Sequence, residues 1–277
     1  MRSLAALLRG ARLHLALTHS AATLVQVPSA WRRQAVPLFD GAVAADADLA
    51  AALAPALGGG RFAGYPLSVT LGDDCVRLFM VPPLAGAAGL PDIRAAAAMR
   101  FHRLYGDDPG GWQIETAPSA DRPFLACALP TALSGAIRSA ARAHGLRLTA
   151  VTPLFVLTWN QLNRRIGRAW LGVVQEDSIT LGCVDGRPKP DLAAVHRLRL
   201  PAGACSPAWL RGQVRAVALR HGLEEPSDLK LFGAPLGGAS LPSTVEGLTL
   251  SRLDPPRVRP IDRQVFIPIL GPQRRTG

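Results

Sequence analysis

The chain has 277 residues, 48% of them apolar and only 5% aromatic, with a formal net charge of +11 and two lysines, Lys189 and Lys230, among 31 basic residues. That apolar fraction can fill the core of one large or two medium domains, which excludes a disordered or low-complexity protein. The charge admits nucleic acid or an anionic membrane face as a partner, but the arginines scatter, and no aromatic-interleaved stripe or helix-turn-helix pattern accompanies them. A solvated basic surface is therefore expected ahead of a specific nucleic-acid groove.

Cys75, Cys127, Cys183 and Cys205 stand far apart with no C-x-x-C among them, so they are expected to act as small hydrophobes in a reducing compartment, not as zinc ligands or disulfides. The N-terminal MRSLAALLRGARLHLAL faintly suggests a signal peptide, but Arg9 and Arg12 interrupt it. No run reaches the roughly 18 apolar residues needed to span a bilayer. The expectation is a cytoplasmic protein whose membrane contact is peripheral.

In chain order, residues 13–27 predict a hairpin turning near His19-Ser20, and a third strand covers Gln34 to Phe39. Asp46 and Asp48 open a short Ala/Leu helix that Pro55 and Gly58-Gly59-Gly60 are expected to end. Leu67 to Val81, LSVTLGDDCVRLFMV, predicts a second hairpin with Asp73 and Asp74 at a solvated tip. Pro91 and Asp92 start a helix ending at Gly106. Strands at Trp112 to Glu115 and Phe124 to Leu129, a helix from Thr131 to His144-Gly145, a strand to Val151 and a helix after Pro153 follow. A second half begins with the hairpin WLGVVQEDSITLGCV. It continues with a strand from Ala193, an amphipathic helix from Pro207 to His221, and strands at Leu229 to Phe232 and Leu248 to Leu250, before a Pro/Arg-rich tail. Because each half opens with an antiparallel hairpin and then alternates strand and helix, the order points to an α/β fold of the duplicated actin-like (ribonuclease-H-like) type. An α+β subdomain is inserted at about residues 66–130. The expected domains are 1–165, 166–253 and a tail at 254–277.

The run from Leu67 to Asn160 resembles the PilM family of type IV pilus assembly proteins and the related cytoplasmic domain of the type II secretion protein GspL. The resemblance rests on LSVTLGDDCVRLFMVPP, IRAAAAMRFHRLYGDDP, FLACALP and HGLRLTAVTPLFVLTWNQL, with LGVVQEDSITLGCVDGR opening the second half. It implies an actin-like scaffold at the inner membrane that grips the cytosolic tail of a PilN-like bitopic protein. A secretion or pilus assembly ATPase and a second copy of the chain are further implied partners, and no specific nucleic acid is expected.

Actin-like nucleotide sites place an Asp and glycines at the turn of each half's first hairpin, and this chain departs from both. The first turn, Leu17-Thr18-His19-Ser20-Ala21, has neither, and the second, Val174-Gln175-Glu176-Asp177-Ser178, is acidic without glycine. Glu176 and Asp177, with Gly233 and Gly237 of a Gly-rich run, are the weak candidates for a cofactor site. The expectation is a pseudo-ATPase without a cofactor, an active ATPase and a basic nucleic-acid binder being the alternatives. The six histidines lack ligand spacing and read as surface or helix-end residues, and no catalytic motif is present. Val76, Leu78, Met80, Phe101 and Tyr105 are the candidates for partner binding.

Overall fold

The computed structural model describes residues 11–27, 35–43, 48–84, 86, 89–116, 119, 122–185, 191–201, 205–234, 236 and 243–254. The first half comprises β1 (Arg12–Leu17), β2 (Ala21–Val27), β3 (Val36–Ala42), α1 (Leu49–Leu57), β4 (Pro66–Leu71), α3 (Thr131–Ala143), β8 (Arg147–Pro153) and α4 (Leu154–Ile166). Between β4 and α3 lie β5 (Arg77–Val81), α2 (Leu90–Tyr105), β6 (Trp112–Thr116) and β7 (Phe124–Pro130). The second half comprises β9 (Trp170–Val174), β10 (Ser178–Asp185), β11 (Asp191–Arg199), α5 (Pro207–His221), β12 (Asp228–Gly233), β13 (Thr244–Val245) and β14 (Leu248–Arg252).

The two large sheets repeat one plan. The first has the order β3-β2-β1-β4-β8 and the second β11-β10-β9-β12-β14-β13. In each, the three leading strands pair antiparallel and the next two join in parallel. Parallel neighbours need long crossovers, which the helices supply. The duplicated α/β arrangement expected from element order is therefore present.

The stretch from Leu67 to Val81 does not form the expected hairpin. β4 runs parallel between β1 and β8, while β5 pairs antiparallel with β7, from Arg77↔Ala128 to Val81↔Phe124, in a separate sheet of order β5-β7-β6. Alternation misled here because β4 buries both of its faces: Leu67, Val69 and Leu71 are buried, and so is Thr70. A central parallel strand satisfies that demand and a two-stranded hairpin does not. The Gly72 N–H donates to the Leu17 carbonyl at 2.6 Å, which fixes the connection after β4 against β1 instead of turning it back.

Three smaller expectations also change. α1 ends at Leu57 against Gly58, as the glycine run predicts, but Pro55 lies inside it instead of ending it, because Leu49, Leu53 and Leu57 fall on one buried face and α1 contacts α3. The His144 ring nitrogen Nε2 bonds the Ala50 carbonyl at 2.9 Å across those helices. His14 is buried, not a surface residue, with Nδ1 3.0 Å from Ser68 Oγ on the neighbouring strand. β3 begins at Val36, two positions later than expected, and Gln34 lies outside the described residues.

The chain divides into two compact units. One holds the described residues up to Val76 together with Leu129–Leu157; the other holds Arg77–Ala128 and Thr158–Asp254. The inserted subdomain, which chain order attaches to the first half, thus groups with the second, where β5 contacts β11. Its own core is Phe79 and Val81 from β5, Phe124, Ala126 and Ala128 from β7, and Ile93, Ala96, Ala97 and Phe101 from α2. Gly106, at φ +74°, ends α2 with its N–H on the His102 carbonyl.

In the second unit β11 meets the end of α5 through two imidazoles. His196 and His221 lie 6.0 Å apart, with the Arg220 guanidinium 3.4 Å from His196. Burial pushes the pKa of both below the ordinary histidine value, and the Arg220 charge, with His221 in the case of His196, adds to it. The unfolded chain therefore takes up these protons first as pH falls below about 6.5. Stability from this contact is complete above that pH and declines as pH drops through the folded values. The thermal midpoint is expected to be lower at pH 5 than at pH 7, and His196→Gln to shrink the difference. An unchanged difference would assign the decline to other groups.

Candidate functional site

The pairing of β1 with β4, in which Leu17 faces Leu71, brings the β1–β2 turn beside the segment Gly72-Asp73-Asp74. The expected solvated tip is not there. Asp73 is 1% exposed, and its Oδ1 accepts the Phe155 N–H at 2.9 Å. A carboxylate thus sits at the N-terminus of α4, where unpaired amides and the helix dipole favour negative charge. Asp74 turns the other way, onto the β1–β2 turn. Its Oδ2 accepts the His19 main-chain N–H at 2.9 Å and lies 2.5 Å from His19 Nδ1.

Every main-chain N–H of this turn has an internal acceptor. Thr18 donates to the Ala21 carbonyl at 2.9 Å, His19 to Asp74, and Ser20 and Ala21 to Thr18 Oγ1 at 3.4 and 3.0 Å. The hydroxyl of Thr18 does locally what glycine-rich turns leave for a ligand.

In the second half, the β9–β10 turn leaves Glu176 exposed and Asp177 half-buried. The Asp177 carbonyl accepts the Leu200 N–H at 2.7 Å, and the Gln175 N–H donates to the Ser178 carbonyl at 2.8 Å. Among the described residues no group of three or more His, Cys, Asp or Glu is placed to hold a metal ion. Ser178 and Thr180, two apart on β10, bury hydroxyls that have no hydrogen-bond partner among the described residues.

Gly233 has a packing reason to be glycine. Its φ is +113°, and a Cβ there would lie 2.2 Å from the Val174 carbonyl oxygen of the neighbouring strand. The Gly233 carbonyl in turn accepts from Arg252 Nη2 at 2.7 Å. Gly237 lies outside the described residues.

The docking candidates separate by strand parity. Phe79 and Val81 face α2, so Leu78 and Met80 lie on the other face of β5, half-exposed, where the register sets Cys127 and Leu125 of β7 beside them. Phe101, at 0% exposed, belongs to the core, and Val76 is buried too, so neither presents a side chain to a partner. Tyr105 is half-buried, its hydroxyl donating to the Leu78 carbonyl at 3.3 Å and its ring 4.6 Å from the Arg77 guanidinium. Burial pushes the Tyr105 pKa up, with Arg77 opposing the shift. Arg77 also stacks on Trp112 at 5.1 Å and pairs with Asp107 at 2.9 Å. This arginine cluster escaped the sequence reading, although an Arg opening a strand near several aromatics is a usable signal. The thiol of Cys183 is pushed up to about 12 by burial, as a core residue's would be.

The paired five-strand plan, a hairpin plus parallel strands in each half, defines an actin-like fold. No protein-family model matches the chain, and no curated protein sequence matches it. Solved structures do. The cytoplasmic domain of EpsL, an inner membrane component of the type II secretion system of Vibrio cholerae, aligns at 14% identity and a TM-score of 0.57 over 88% of this chain and 90% of that one. A PilM-PilN type IV pilus biogenesis complex aligns at 16% identity and TM-score 0.51, over 94% and 97%. A Bacteroides thetaiotaomicron protein with an actin-like ATPase fold and unknown function aligns at 10% and 0.54, over 81% and 82%. The chain shares the fold of these proteins, described for the Bacteroides thetaiotaomicron protein as actin-like. Among the described residues no helix is long and apolar enough to cross a membrane.

Proposed function

We propose that this protein is a scaffold of a type IV pilus or type II secretion-like platform at the cytoplasmic side of the inner membrane, and that it holds the cytosolic tail of a PilN-like single-pass protein. The observation that carries the reading is a likeness extending over nearly the whole length of both chains, to a secretion-platform domain and to a pilus complex. The half-exposed apolar strip of Leu78, Met80 and Leu125 suits the apolar residues of an extended peptide. In this reading the assembly ATPase and a second copy of the chain are further partners.

A degenerate nucleotide site belongs to the same proposal. The first turn's amides are satisfied internally. The second turn has side chains where close backbone approach to phosphate would need glycine.

Calorimetric titration tests both parts. A synthetic tail peptide is expected to bind at low salt, and Met80→Asp to weaken it at least tenfold, about 1.4 kcal/mol. Mg-ATP is expected to give no binding heat. Absence of peptide binding sinks the scaffold reading, and tight Mg-ATP binding replaces it with an active ATPase.

A further inference from the structure

The carboxylate of Asp74 is placed as an external anion would be. It is almost enclosed, its side chain only 7% exposed, while the imidazole that holds it is 60% exposed. One oxygen takes both the main-chain N–H and the ring Nδ1 of His19. The other, Oδ1, is buried with no hydrogen-bond partner among the described residues. A main-chain N–H and an adjoining ring N–H together form a small concave donor set suited to an oxyanion. The two segments cannot drift apart, since the Gly72 N–H is fixed to the Leu17 carbonyl one residue before the turn.

We infer that Asp74 is the resident anion of the β1–β2 turn, an autoinhibitory contact that keeps external phosphate oxygens off the His19 donors. The inference rests on the degenerate-site reading and gives it a cause: the turn is occupied by a residue 55 positions away. Removing that one carboxylate opens the donor set to an added oxyanion.

The test uses the full chain, with pyrophosphate as the probe at constant ionic strength. Thermal midpoint and phosphorus-31 line width are read for wild type, Asp74→Ala and Asp40→Ala. Asp40 also accepts a side-chain bond, from Thr23 Oγ1 at 2.9 Å on β2, so its variant controls for the loss of one negative charge in the same unit. Pyrophosphate is expected to raise the midpoint of Asp74→Ala saturably, with affinity at least tenfold above that of wild type or Asp40→Ala. Adding His19→Ala should abolish the gain. Equal responses from Asp74→Ala and Asp40→Ala overturn the inference, as does wild type binding as tightly as Asp74→Ala. Asp74→Ser answers the same question if the alanine variant does not fold. Tail-peptide binding is measured on the same proteins, so failure of the scaffold reading shows separately.

Discussion

Gly233→Ala is expected to be the most damaging single methyl group that can be added to the described part of this protein. The new Cβ would stand 2.2 Å from the Val174 carbonyl oxygen, a main-chain atom held in the β9–β12 pairing, so no side-chain rotation relieves it. The residue would also need φ near +113°, which an L side chain rarely adopts. Backbone strain and overpacking each cost about 1–3 kcal/mol, so a loss of roughly 3 kcal/mol or more is expected, a large share of a domain's stability. Denaturant unfolding of the purified variant measures it. A loss under about 1 kcal/mol would mean that β12 can slide on β9. The variant also separates two meanings of this glycine: a residue conserving only room for a ligand would leave stability unchanged.

Phe101→Ala is expected to cost about 3–5 kcal/mol, the range for emptying an aromatic site in a closed core. Phe101 is fully buried among Phe79, Tyr105 and Trp112, with ring centroids 5.2–5.9 Å away. Were Phe101 a docking residue, the substitution would weaken tail-peptide binding and leave the unfolding midpoint in place. The structure predicts the reverse order of effects, with Met80→Asp affecting binding first.

The sequence carried the element order well because several helix ends have a local chemical marker. Asp48 accepts the Ala50 N–H, Ser206 accepts the Trp209 N–H, and Gly106 and Gly222 adopt left-handed caps. Those signals act within a few residues. The errors fell where the deciding partner is remote. Alternation in Leu67 to Val81 marked two strands correctly, but nothing local says that β4 pairs with β1 and β8 while β5 pairs with β7. Asp73 and Asp74 look like any acidic turn until Phe155 and His19 are placed beside them, 82 and 55 positions away. Arg252 reaches the Gly233 carbonyl only because β14 aligns Arg252 with Leu231 in parallel. Parity did specify Leu78 and Met80 as one face of a strand, whereas the aromatic cluster gave no way to tell a docking Phe101 from a buried one.

The division into units has a consequence for synthesis. The chain leaves the first unit at Val76, returns at Leu129 and leaves again after Leu157, inside α4. The first sheet cannot be completed until β8 at Arg147–Pro153 has left the ribosome, by which time β5, β6 and β7 are already available to pair. Domains usually fold as units in the order they emerge, and long-range parallel pairing is slow. Here the inserted three-stranded sheet can form while β4 still waits for its second neighbour. No single cut in a linker separates the units, so a fragment ending near residue 165 would carry β5 to β7 and most of α4 without β11 and the rest of the second unit. Such fragments are expected to aggregate, and the full chain to refold in at least two phases.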